Sequence, residues 1–156
     1  MELIPKKAWL ILTAAWAATI FDLSTAPYSS AASARFFSIE LAWLCISIPP
    51  QNLDLLNDLL RKSAHLAEYA VLAVLLYNVL KPADNPFWSP RAAFRALVVS
   101  GCYSTTDELH QHFVPGRHAS LFDCVIDTTG ALLGLFVLSK AMAGVRRKQT
   151  DSWDNL

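Results

Sequence analysis

Apolar residues fall along the chain in four long blocks separated by shorter polar ones. The blocks run from about Lys7 to Ala26, Ser63 to Leu80, Arg91 to His110 and Leu121 to Gly144. At 18–24 residues each, they are near the roughly 20 a helix needs to cross a bilayer. None is apolar throughout, and each carries polar residues toward one end. A shorter apolar run, Phe36–Ile48, has 13 residues, too few for a crossing, and predicts an interfacial or re-entrant helix. Pro49 and Pro50 end it, because proline pushes the preceding residue out of the helical region. Beyond them Asn52 or Asp54 is placed to cap a helix. Leu55, Leu56, Leu59 and Leu60 then recur at helical spacing, and this helix is expected to continue through Arg61 into the second block. The predicted fold is all-α: a polytopic membrane bundle of about four transmembrane helices plus the interfacial one. Residues 1–145 make up the transmembrane domain, and 146–156 a polar tail expected to fray.

Lys6 and Lys7 ahead of an apolar core, with "DLSTAPYSSAASA" behind it, share features with a cleaved signal peptide. The long core with Trp9 and Trp16 suits a retained span better. Composition fits a membrane protein: 54% of residues are hydrophobic and 17% charged, with a mean hydropathy of +0.33, where soluble domains carry about 25% charge. The formal net charge is zero, so no basic surface argues for nucleic acid. Cys45, Cys102 and Cys124 form no C-x-x-C pair or zinc-like spacing. Each sits in an apolar run, where free cysteine behaves as a small hydrophobe.

Lysine and arginine set the orientation. Lys6 and Lys7 precede the first span, Lys81, Arg91 and Arg95 flank the second connection, and Arg146, Arg147 and Lys148 follow the last span. The positive-inside rule puts all three groups in the cytoplasm. Four spans then place both termini inside a bacterial inner membrane, with the turn "HQHFVPGRHAS" outside.

That outer mouth holds most of the ionisable chemistry. Arg61, His65 and Glu68 or Tyr69 share one face of the second span, and Lys62 can join them. Asp107 and Gln111 are one turn apart on the third span, and Asp123 and Asp127 on the fourth. Gly130 and Gly134 continue that stripe, where small residues permit close helix contact. Pro115 and Gly116 signal a tight turn that would aim Arg117 back toward the acids. Asp123 is also placed to cap the fourth helix.

Three readings of the cluster compete. It can fasten helices through an interhelical network. It can line a polar pocket opening outward, which is favoured because apolar residues would pack a bundle without desolvation cost and intramembrane ionisable groups mark functional sites. It can hold a metal, with His65, Glu68, Asp107, Glu108, His110 and His112 as ligand types. No H-E-x-x-H or equivalent spacing occurs, so no metal is expected. No glycine-rich phosphate loop is present and no cofactor is expected. Paired carboxylates allow acid–base catalysis, but no nucleophile motif accompanies them.

"RKSAHLAEY", an apolar span, and then "TDELHQHFVPGRHASLFDCVIDTTGALLG" together resemble the VanZ-like family of small bacterial membrane proteins, named for a teicoplanin-resistance protein. The resemblance covers most of residues 8–142. It implies site positions at Lys62, His65, Tyr69, Asp107, Glu108, Gln111, Arg117, Asp123, Gly130 and Gly134. "FDLSTAPYSSAAS" resembles the serine-rich segment after the family's first span. Many members carry asparagine where this chain has Asp127. The resemblance implies fold and location; it supports antibiotic resistance only weakly and assigns no biochemical activity. The leading expectation is a protein whose pocket binds a cell-envelope component, such as an envelope lipid or peptidoglycan precursor, or influences envelope assembly. The alternatives are a membrane-embedded enzyme acting on a lipid-linked substrate, with Glu108 or His65 as acid/base, and a structural bundle or partner subunit.

Overall fold

The computed structural model describes residues 4–25, 49–83, 87–114 and 120–153. Among these residues there are four helices and no strand: α1 (Lys6–Leu23), α2 (Pro50–Leu80), α3 (Pro90–His112) and α4 (Leu121–Trp153). The run Phe36–Ile48, expected as an interfacial helix, and the turn holding Pro115, Gly116 and Arg117 lie outside the described residues.

Three helix ends differ from the sequence expectation. α2 starts at Pro50 with Pro49 in the cap position and no side-chain cap, instead of at Asn52 or Asp54. A proline at the first helical position gives up an N–H that had no partner to lose. α4 is preceded by Ser120, whose Oγ accepts from the Phe122 N–H at 3.2 Å. Asp123 is therefore not the cap; it lies in the first turn, where its charge complements the helix dipole. Residues 146–153, expected as a frayed tail, are helical and continue α4 to Trp153. No glycine or proline follows Gly144 to stop the helix, and arginine, lysine and glutamine favour it. α2 runs unbroken through Arg61, as its leucine spacing implies.

α2 and α4 make the most extensive pairing, and glycine is the reason they approach so closely. A Cβ on Gly130 would stand 2.9 Å from the Leu66 Cα, and one on Gly134 would stand 2.9 Å from the Ala70 Cα. Small residues at such crossings let backbones touch. Along its length α1 is tied on by hydrogen bonds to backbone carbonyls. Trp16 Nε1 donates to Glu68 O at 2.9 Å, and the Tyr103 hydroxyl donates to Ala17 O at 2.6 Å.

The helices alternate direction, so each end of the bundle gathers defined residues. At one end Lys6 Nζ reaches Lys81 O, and the Tyr77 hydroxyl accepts from the Ser89 N–H and donates toward Met142 Sδ. Ala73, Tyr77, Ala92, Ala96, Ala131 and Leu135 form an apolar core on this side. At the other end Ser24, Asp107, Glu108, Gln111 and Ser120 meet.

The surface is inverted relative to a soluble protein. Ile11 is 68% exposed and Phe94 67%, while Ser100, Ser104, Gln111 and Asp127 are fully buried. Apolar exposure on this scale needs a covering partner. Two segments, Leu55–Leu80 and Leu121–Val145, are long and apolar enough to cross a membrane, and only 22% of each is buried inside the protein. The core helix of a soluble protein would be mostly covered. α1 has just 18 residues, with Lys6, Lys7 and Asp22 among them, and α3 spends its inner face on polar groups.

Candidate functional site

The α3 inner face builds the site. Ser100, Ser104, Asp107, Glu108 and Gln111 are all buried along it, at spacings of three and four that put them on one side of a helix. They divide into two groups.

The first group joins α3 to the end of α1. Ser24 Oγ donates to Asp107 Oδ1 at 2.6 Å, and Gln111 Nε2 donates to Asp107 Oδ2 at 3.2 Å. Tyr69, fully buried, packs with Ile20 and Leu72 beside the Tyr103 ring, 6.4 Å away between centroids. Phe21 of α1 stacks on the His110 ring of α3 at 4.3 Å between centroids.

The second group joins α2, α3 and α4. Asp127 is wholly buried. Its Oδ2 accepts from Ser104 Oγ at 2.6 Å, and its Oδ1 lies 3.1 Å from His65 Nδ1. Glu108 is 5% exposed. Its Oε2 accepts from the Ser120 N–H at 2.8 Å, whereas Oε1 is buried with no hydrogen-bond partner among the described residues. One ligand-type atom from each of His65, Glu108 and Asp127 lies within 4.8 Å of the others. His65 thus meets the fourth helix directly and the third through Glu108. The partners of Asp107 and Asp127 are hydroxyls, an amide and an imidazole, not lysine or arginine. The hydroxyl and amide donors avoid the desolvation cost that a second buried charge would add.

Above the second group opens a cleft of about 250 Å³, lined by Asp58, Arg61, Lys62, His65, Ser120, Phe122 and Asp123. Lys62 is exposed at its rim, with Nζ 5.4 Å from the centre of the Phe122 ring, a cation–π distance. Arg61 and Asp123 are half-buried in the wall. Glu68 is also half-buried, and its carbonyl serves α1 through Trp16. Gly130 and Gly134 sit below, at the α2 contact. His112 is exposed. Cys102 and Cys124 are free thiols.

Ser24, Ser104 and Ser120 complete the site and were not singled out in the sequence. Ser104 was recoverable: it lies three before Asp107 on the same buried stripe. Ser24 lies in the serine-rich "FDLSTAPYSSAAS" segment, but neither its partner nor the role of Ser120 could be read, since each acts across helices from a helix end.

A family model described as VanZ/LLP1 matches residues 9–142. A comparison with curated proteins finds no match, and one with solved structures finds none either. The matched span runs from the first turn of α1 deep into α4 and contains every polar residue of the two groups. On that match the chain belongs to the VanZ/LLP1 family.

Proposed function

We propose that this is a four-span protein of the bacterial inner membrane, with both termini cytoplasmic, whose cleft opens outward and binds the polar headgroup of a cell-envelope component. The observation that carries this reading is the cleft, with Arg61 and Lys62 on its wall and rim and His65 reaching the buried acids beneath. Cations beside an aromatic ring at a membrane surface suit a phosphorylated headgroup. At about 250 Å³ the cleft is below the roughly 300–1,000 Å³ of drug-sized sites. It therefore fits a headgroup of an envelope lipid or peptidoglycan precursor, with the tail left in the bilayer. Lys6, Lys7, Lys81, Arg91 and Arg95 belong to the opposite end, which supports that end as the cytoplasmic one. Holding such a component would influence envelope assembly and, through it, glycopeptide susceptibility.

A second reading is favoured by the His65–Asp127 contact. A carboxylate that orients an imidazole is the arrangement of a general base, here facing a cleft where a lipid-linked substrate would sit. Mass spectrometry of lipids retained by the purified protein separates the two. Binding predicts one phosphorylated lipid enriched over the bulk membrane and lost in the doubly substituted Arg61→Gln, Lys62→Gln protein. Bulk lipid composition in both contradicts the proposal. Conversion of the enriched lipid on incubation, abolished by His65→Gln, establishes catalysis.

A further inference from the structure

We propose that His65, Glu108 and Asp127 hold a divalent first-row transition-metal ion, of the zinc or manganese type, at the base of the cleft. Headgroup binding is not needed for this inference, because it rests on the three side chains alone. The atoms they offer come from three different helices and lie within 4.8 Å of one another. Ligand bonds of about 2.0–2.2 Å place neighbouring ligand atoms roughly 3.0–3.5 Å apart around an ion. The His65 Nδ1 to Asp127 Oδ1 separation of 3.1 Å already has that value. Glu108 brings a carboxylate oxygen within 4.8 Å of both.

The second observation is Glu108 itself. It is 95% buried, and its Oε1 has no hydrogen-bond partner among the described residues. An unpartnered carboxylate oxygen in a buried site is costly, and a cation bound to it removes the cost. The remaining carboxylate oxygens are fixed by neutral donors. Ser104 holds Asp127 Oδ2, and the Ser120 N–H holds Glu108 Oε2. Such outer hydrogen bonds are how proteins orient metal-ligating carboxylates.

The donor set selects the ion. Imidazole suits zinc, copper, iron and nickel, and carboxylates extend the choice to manganese, while calcium and magnesium prefer all-oxygen cages. Three protein ligands leave a position open, which is the pattern of catalytic rather than structural sites. His65 lines the cleft, so the open position faces it, and water or a phosphate oxygen would complete the coordination. With Nδ1 on the ion, the imidazole proton resides on Nε2.

The test uses the full chain in detergent, stripped with a chelator and dialysed against zinc, manganese or cobalt chloride. Bound metal is counted by mass spectrometry, and cobalt is also read by its visible absorption. The expected result is about one ion per chain, retained in His112→Gln and weakened at least about tenfold in Glu108→Gln. Should Glu108→Gln fail to fold, Ser104→Ala serves instead, since loss of an outer hydrogen bond weakens metal sites about 10–100-fold. Magnesium at equal concentration is expected not to displace zinc. Three results would overturn the proposal: no binding of any of the three ions, equal binding in the Glu108 or Ser104 variant, or loss of binding in His112→Gln, which would assign the ion to surface histidines.

Discussion

Replacing Gly130 by alanine tests the packing on which the site depends. The added Cβ would stand 2.9 Å from both the Leu66 Cα and its carbonyl carbon, and closer still to the carbonyl oxygen. These are backbone atoms in the middle of α2 and cannot rotate aside. Relief requires α2 and α4 to part by several tenths of an ångström or more. Overpacking of a well-filled contact costs about 1–3 kcal/mol. A radial gap of about 0.5–1 Å forfeits a quarter to a half of each dispersion contact along the seam. The His65–Asp127 contact, 3.1 Å and one turn away, would stretch with it. Gly144→Ala is the control, because nothing lies within 4 Å of its Cβ. There, alanine gains helix propensity of up to about 1 kcal/mol. Thermal or dodecyl-sulfate unfolding of the purified protein in mild detergent should show Gly130→Ala clearly less stable than the native protein and Gly144→Ala equal or better. Equal stability of Gly130→Ala and the native protein, within about 0.5 kcal/mol, would refute the close α2–α4 contact.

Ser24→Ala removes the hydroxyl that donates to buried Asp107 at 2.6 Å and should cost about 1 kcal/mol, within the range for an orphaned acceptor. Ser63→Ala, whose exposed hydroxyl bonds only within its own helix, should be near neutral in the same melt. Tyr103→Phe loses the bond to Ala17 O and should cost about 0.6–1.5 kcal/mol. It should also make α1 easier to clip with protease in detergent, whereas unchanged proteolysis would remove Tyr103 as a tether.

The fold was legible because its dominant signals are local. Four apolar blocks of membrane length and a leucine repeat running into Arg61 require no knowledge of neighbours. The glycine stripe at Gly130 and Gly134 announced a close approach but not its partner, which only the structure identifies as Leu66 and Ala70. The candidate site was legible in part. Topology gathered His65, Glu108 and Asp127 at one mouth of the bundle, on three spans. It could not say that His65 would meet Asp127 rather than Asp107, because that depends on how α2 is rotated about its axis. By charge alone, lysine and arginine are the partners that buried acids call for. Serines took that role at Asp107 and Asp127, since a short hydroxyl satisfies a buried carboxylate without bringing a second charge that must also be desolvated. The helix ends were misplaced where capping rules compete: Pro49–Pro50 outranked Asn52, and Ser120 outranked Asp123.

The central claim is that the polar end of the bundle faces outward across a membrane. His112 is exposed at that end and Phe87 at the other. In a background lacking the native cysteines, His112→Cys and Phe87→Cys are each treated with an impermeant thiol reagent in intact spheroplasts and again after lysis. The expected result is labelling of His112→Cys in intact cells and of Phe87→Cys only after lysis. The reverse pattern would contradict the orientation, and labelling of both in intact cells would contradict the membrane-spanning bundle.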